Sequence, residues 1–431
     1  MATDAAGKEN ECRVHLYQTM QLFLGDDFGL VGQSNLLQIR LFVFARKSTG
    51  IFGVIKNVET NTLATGMLNM IGNKGAAIVS FNVDDRSLCF CCCHLAAHEG
   101  QDFLDARNRS SKAILASTTD KEDVLDIPAL YDHVFFLGDL NYRLDPYLLD
   151  ASVGSHRGLS GFDLVCSYIE RREWGKLSAA DTLAIERQNG RALCGFEEGT
   201  LQWPPTFKYN REKDADEDGF TDSNPFNTKR LPSYTDRVLY HSLPCLKNKL
   251  TLKYYRSCQS TKSSDHKPVL SLFALKLGTP KAHLRCPTVR LSSLSITFPC
   301  NQDAETGLYN PYVISVEYCK GDLGTFQKKL PEPDKMELSK DDALLTISYD
   351  ELNIGFTDVV KKYKRTGYTG HILMQVRRKN NCGLFGYAVL SVFNHLAEGD
   401  VVATCPLRLG GTRVGSSTIT LHLFEEDNHP R

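Results

Sequence analysis

Four short apolar runs constrain the fold of this 431-residue chain more than any other feature: "IRLFVFAR" (39–46), "AAIVSFNV" (76–83), "SLCFCCCHL" (87–95) and "HVFFLGDL" (133–140). Each is bounded by turn residues and is apolar at consecutive rather than alternate positions, the pattern of a strand buried on both faces. Such strands need a covering layer on either side of their sheet. Between the last two runs, "EGQDFLDARNRSSKAILAST" (99–118) spaces Phe103, Leu104, Ala106, Ala113, Ile114 and Leu115 for a helix packed on that sheet. The stretch "FDLVCSYIERREWGKLSAADTLAIERQ" (162–188) predicts another helix. Strands and helices in alternation predict a layered α/β architecture.

Beyond "SDHKPVLSLFALKLG" (264–278) the texture changes. A Pro-bearing linker, "TPKAHLRCP", is followed by strand-like segments with turns between them: "VRLSSLSITF", "YVISVEY", "ALLTISY", "HILMQVRR", "YAVLSVF" and "STITLHLF". The prediction is an α/β unit over 1–279, a linker at 280–287 and an all-β sandwich over 288–427 that resembles the C2 type.

Composition narrows the function classes. Fifty basic residues against 51 acidic ones leave a net charge of −1, so no overall field draws the protein to nucleic acid or to an acidic membrane. Any anion site must be a local cluster. The chain has 14 Cys, but Cys91, Cys92 and Cys93 are consecutive inside an apolar run, where neighbouring side chains point to opposite faces. Reduced thiols in a cytoplasmic protein are the expectation, and zinc-finger spacing is lacking. "MATDAAGKEN" has no secretory pattern and no stretch is apolar enough to span a bilayer, so any membrane contact is expected to be peripheral.

Several clusters carry possible chemistry. In "HVFFLGDLNYRLD", Asp139 ends a buried strand, where a rigid backbone lets a carboxylate hold a water at a fixed angle. Asn141, two residues on, can donate to a phosphoryl oxygen. In "SSDHKPV", Asp265 can offer an oxygen to a divalent metal, while His266 as imidazolium stabilises a phosphorus transition state. His94 ends its strand as Asp139 does, with His98 one helical turn beyond it as a structural histidine. Lys208, Lys229, Arg230 and Arg237 gather positive charge, and Asp236 can orient an imidazole. Lys74, between two glycines in "MIGNKGAA", can reach an anion.

In this order, "GNKGA", "HLAAH" with "ARN", "FFLGDLNYRL", "PPTFKY", "PSYTDRVLY" and "SDHKPV" resemble the inositol polyphosphate 5-phosphatases of the endonuclease/exonuclease/phosphatase superfamily, over roughly residues 12–275. The resemblance implies a four-layer α/β/β/α sandwich of the DNase I-like type and Mg²⁺-dependent removal of the 5-phosphate from phosphoinositide lipids or soluble inositol phosphates. It makes Asp139 the group that activates water, aligned by Asn141, and His266, held by Asp236, the stabiliser of the transition state. Asp265 falls beside the metal and His94 at the scissile phosphate. Lys208 and Arg230 fall at a neighbouring ring phosphate, with Lys74, Arg107 and Asn108 lining the site.

Members of that family carry a strand with a "WNVN"-like motif and another ending in "QE", whose Glu is the principal metal ligand, and neither motif occurs here. The resemblance therefore also implies N-terminal strands missing from the sandwich, an unpaired apolar sheet edge and a weakened metal site. Cys92, Phe207, Thr228 and Tyr234 are smaller departures from the family pattern. The alternative reading is a catalytically impaired, phosphoinositide-binding scaffold.

Overall fold

The computed structural model describes residues 14–66, 73–84, 86–117, 126–152, 159–211, 225–277, 288–299, 312–319, 325–339, 344–350, 352, 354–355, 371–378, 384–391 and 399–424. The expected linker lies outside these residues.

The first unit runs α1 (residues 14–24), β1 (Phe28–Leu36), β2 (Ile39–Arg46), β3 (Ile55–Ala64), β4 (Gly75–Val83), β5 (Arg86–His94), α2 (Gln101–Ala116), α3 (Ile127–Leu130) and β6 (His133–Asp139). It continues with α4 (Gly161–Glu170), α5 (Trp174–Ala179), α6 (Thr182–Gln188), β7 (Glu197–Glu198), β8 (Asp236–Ser242), β9 (Leu250–Ser257) and β10 (Val269–Leu275). The four apolar runs are therefore strands, and the run at 39–46 is β2 residue for residue.

A six-stranded sheet in the order β3-β4-β5-β6-β8-β7 forms the centre. All its pairings are antiparallel except β5 with β6, which run parallel because α2 and α3 carry the chain back across one face between them. Strand alternation divides the cysteine run between two environments. Cys89, Cys91 and Cys93 join Ile114 and Leu115 of α2 and Val134 and Phe136 of β6 in one core. Phe90 and Cys92 face the opposite side, with Val31, Leu41 and Val43 of the β1–β2 hairpin. All the described cysteines are free thiols. Burial drives the Cys89 and Cys93 thiols far up and that of Cys92 to about 11, so these groups stay protonated.

The single helix expected over 162–188 is three short helices. Arg172 has a φ of 56°, which no helix interior tolerates, and Asp181 caps α6 by accepting from Ala184 N at 3.0 Å. The chain turns sharply at both points.

Two separate hairpins cover the other face of the central sheet. β1 pairs with β2 and β9 with β10, each as a two-stranded sheet, so each hairpin keeps a strand edge with no ladder partner among the described residues. Phe273 of β10 packs on Phe135 and Tyr240, with ring centroids 5.0 Å apart in each case. Tyr17 of α1 stacks on Phe42 and Phe44 from outside β2. Leu270 and Leu272 on the outer side of β10 are 59% and 58% exposed.

The second unit is all-β: β11 (Thr288–Pro299), β12 (Tyr312–Cys319), β13 (Thr325–Lys329), β14 (Lys335–Ser339), β15 (Leu344–Tyr349), β16 (Ile354–Gly355), β17 (His371–Arg378), β18 (Leu384–Ser391), β19 (Gly399–Leu409) and β20 (Thr412–Phe424). Its path β13-β12-β17-β18-β19-β20-β11-β15-β14 narrows to one residue pair, Tyr387 with Arg408, between β18 and β19. Residues from both sides of that waist, including Ile314, Met374, Ile296 and Ile419, share one core. The unit is fastened to the first by the β19–β20 turn: Gly410 N donates to the buried Asp126 carboxylate at 2.7 Å, and Cys194 N donates to Gly411 O at 2.6 Å.

Candidate active site

The register of the central sheet sets one row of residues side by side at the end of the strands. Gly75 pairs with His94, His94 with Asp139 and Asp139 with Asp236. The parallel β5–β6 pair makes this possible, because both strands then finish at the same edge. Gly138 has a φ of 119°, and a side chain there would meet Cys93 O at 2.2 Å. Only glycine lets β6 run this close to β5 before Asp139.

The side chains of that row interlock. His94 Nε2 lies 3.2 Å from Asp139 Oδ2, and Lys74 Nζ lies 2.5 Å from the same ring nitrogen. That one ring nitrogen thus lies between a carboxylate and an amine. Asp236 binds His266 Nδ1 through both oxygens, at 2.9 and 3.2 Å, which leaves Nε2 as that ring's free nitrogen. Thr206 and Thr235 hydroxyls donate to Asp236 Oδ2 at 2.7 and 2.9 Å and fix the carboxylate. His266 arrives from outside the sheet through a backbone bridge with Phe207, which also bridges Ser233. Asp139, Asp236 and His266 present ligand atoms within 4.8 Å of one another. The two carboxylates, as hard oxygen donors, suit a divalent cation.

Burial raises the Asp139 carboxyl pKa, but the hydrogen bond from His94 and the charges of His266, His94 and Lys74 outweigh it and hold the group below the usual carboxylate range. Burial works against the charged form of His266 as well. The hydrogen bond and charge of Asp236, with the charges of Asp139 and Asp265, override it and raise the imidazole. Burial depresses Lys74. The two shifts run in the same sense: each favours the charged form, the carboxylate of Asp139 and the imidazolium of His266.

Asn141 has a φ of 56° and is buried. Its Nδ2 donates to Leu95 O and to Asp139 Oδ2, both at 3.1 Å, and its backbone N donates to Asp139 Oδ1 at 3.1 Å. Both amide hydrogens are committed to protein acceptors, so Asn141 orients Asp139 rather than donating to a phosphoryl oxygen.

The remaining expected residues divide. Lys208 lies at the site's edge, 6.0 Å from the Phe207 ring centroid, while Lys229 and Arg230 are exposed in the following turn. Asp265, expected beside a metal, instead pairs with Arg211 at 3.0 Å and Lys208 at 3.8 Å, which occupies it with cations. Three expected substrate contacts are enclosed. Arg237 is the residue after Asp236, and strand alternation sends it to the helix side, where it is buried between Asp181 at 2.9 Å and Glu198 at 2.7 Å. Arg107 lies on the buried face of α2 and donates to Ala96 O and His98 O, bracing the loop after β5. Asn108 is bound to Glu186 at 2.6 Å and accepts from Tyr142 at 2.8 Å. His98, expected to be structural, has its ring against Phe103 at 5.1 Å.

Sequence reasoning missed Thr206, Thr235 and Arg143. The two threonines each precede a site residue, in "PTFK" and "YTDR", yet a hydroxyl beside an acid gains meaning only when two distant loops meet.

A model of the endonuclease/exonuclease/phosphatase family 2 matches residues 1–272. The chain belongs to that family. Over 223 residues, 51% of this chain and 30% of the relative, it is 35% identical to type IV inositol polyphosphate 5-phosphatase 3 of Arabidopsis thaliana. It is 31% identical over 275 residues to phosphatidylinositol 3,4,5-trisphosphate 5-phosphatase 2B of Danio rerio, covering 62% of this chain and 20% of that one. The chain spans less than half the length of these relatives. Among solved structures, it matches the inositol polyphosphate 5-phosphatase domain of SPsynaptojanin, in complex with inositol (1,4)-bisphosphate and calcium ion, with a TM-score of 0.44 at 25% identity, over 57% of this chain and 64% of that one.

Proposed function

We propose that this family member is a phosphoric monoester hydrolase that removes the 5-phosphate from phosphoinositides, including the 4,5-bisphosphate and 3,4,5-trisphosphate, or from soluble inositol polyphosphates. The observation that carries the reading is the His94–Asp139–Asp236 row with His266 closing over it. Relatives bearing 5-phosphatase names support the substrate class.

The chemistry needs charge neutralisation and an aligned water, because a phosphate monoester dianion repels nucleophiles. Ionised Asp139, fixed by the Asn141 side-chain and backbone N–H groups, accepts a hydrogen bond from the attacking water and sets its line. With its pKa held low, it orients more than it deprotonates. His266, anchored at Nδ1, turns Nε2 toward a phosphoryl oxygen and stabilises the charge gathering there. Lys74, beside His94, supplies a second cationic contact. Lys208, Lys229 and Arg230 at the rim attract neighbouring phosphates. Asp139 and Asp236 would hold Mg²⁺, which when bound polarises the phosphoryl group and acidifies water.

We take the first unit as a DNase I-like α/β/β/α sandwich and the second as C2-like, working in the cytoplasm at membrane surfaces and not on nucleic acid. The described residues include no helix long and apolar enough to cross a membrane. The test is phosphate release from a short-chain phosphatidylinositol 3,4,5-trisphosphate with Mg²⁺, beside Asp139→Ala. Equal release by the two proteins overturns the enzyme reading, and lipid binding without turnover by both favours the scaffold.

A further inference from the structure

Arg143 is buried, lies two residues beyond Asn141, and belongs to none of the groups that face the reacting phosphate in the reading above. Its Nη2 donates to Asn141 Oδ1 at 2.6 Å and its Nε to the backbone oxygen of the same residue at 3.1 Å. The guanidinium lies 4.6 Å over the Phe207 ring, and that ring lies 4.6 Å from the His266 imidazole. Its backbone is pinned as well: Arg143 N donates to Thr182 Oγ1 at 3.1 Å, and Thr182 N donates to Arg143 O at 3.0 Å.

A guanidinium has five N–H donors and no acceptor, so whichever end of the Asn141 amide faces it must be the oxygen. The amide nitrogen then points the opposite way, toward Leu95 O and Asp139 Oδ2. Leu95 O and Asp139 Oδ2, both acceptors, demand the same orientation from the nitrogen end, and the guanidinium locks the amide from its oxygen end. Turned over, the amide would set its oxygen against the Asp139 carboxylate, acceptor against acceptor.

We propose that Arg143 is a positioning residue that locks the Asn141 amide as a donor to Asp139. The inference rests on the hydrolase reading for its kinetic consequences but not for its structural one. The hydrogen bonds its guanidinium makes among the described residues go to Asn141, not to Asp139, His94 or His266.

The test is a double-mutant cycle over Arg143→Met, Asn141→Ala and both together. Phosphate release is measured alongside the Asn141 side-chain amide resonance in ¹⁵N-asparagine-labelled protein, assigned by its loss in Asn141→Ala. Arg143→Met should lower kcat about 100-fold, in the range found for one misplaced active-site donor, with KM nearly unchanged. The double variant should match Asn141→Ala alone, because Arg143 acts through Asn141. Arg143→Lys, which can still present a donor to Oδ1, should recover part of kcat, and it guards against a Met variant that fails to fold. The amide resonance should shift and its hydrogens exchange faster in Arg143→Met. Multiplicative losses in the cycle, or an unchanged amide resonance in a folded Arg143→Met protein, would overturn the proposal. If the wild-type protein releases no phosphate, the hydrolase reading fails while the amide resonance still decides the role of Arg143.

Discussion

The two faces of the central sheet are built from equally apolar residues and end up covered very differently. On the helix side, Cys89, Cys91, Val134 and Phe136 are fully buried beneath α2, α3 and the edge of the second unit, whose Leu373 and Tyr387 join the same core. On the hairpin side Phe90, Cys92 and Leu137, in the two middle strands, are only half-buried, although Ala77 and Val79 of β4 are sealed under β1 and β2. The difference teaches that strand composition does not set burial; how completely the layer above covers the strand does. The His94–Asp139–Asp236 row lies on the thinner side, since His94 follows Cys92 and Asp139 follows Leu137 at the two-residue spacing that keeps a strand's face. The stable face holds the backbone and the open face carries the chemistry.

The largest effect should separate these roles outright. Asp139→Asn on the open face should cut phosphate release by about 10³-fold or more, as removal of a central active-site charge does. Its urea midpoint should stay close to wild type, and a collapse in stability would show that the open face also carries the fold. Next, Phe136→Ala on the sealed face should cost about 3–5 kcal/mol in denaturant unfolding, whereas Leu137→Ala, one residue along, should cost about half of that or less. Equal losses would erase the distinction between the faces.

The pH profile offers a smaller, sharper test. Asp139 is held low and must be ionised, so activity should fall as pH drops through its pKa, below the ordinary carboxylate range. His266 is raised and must be protonated, so activity should fall again as pH climbs through a value above the ordinary histidine range. Asp236→Asn removes the hydrogen bond and charge that raise His266 and should move the alkaline limb to lower pH. An unmoved limb would assign it to another group. The smallest effect belongs to the outermost residues. Leu272→Lys, on the exposed side of β10, should change stability by about 0.5 kcal/mol or less. A larger loss would reveal a cover over that side.

Much of this was legible along the chain. The four apolar runs predicted strands whose observed ends fall within a residue or so, because apolar periodicity and turn residues are local signals. The placing of Asp139, His94 and Asp236 at strand ends was legible for the same reason, whereas His266, expected at the start of an apolar run, lies three residues before β10 in a bridge with Phe207. Arg107, Asn108 and Arg237 were misread as substrate contacts because a residue's neighbours in sequence do not reveal which partner waits on its side of a sheet or helix. Arg237 differs from Asp236 by one position and by an entire face of the molecule.

By itself, then, the sequence determined the period-two and helical patterns, the glycines that let strands close up, and the identities of the acids, amide and imidazoles. Short-range sterics and burial suffice for these. Only the tertiary structure decided that β5 and β6 run parallel in a register bringing His94 level with Asp139, that Phe207 delivers His266 to Asp236, and that Arg143 meets the Asn141 amide oxygen. Those outcomes come from pairings between segments far apart in the chain, whose free energies no single stretch contains.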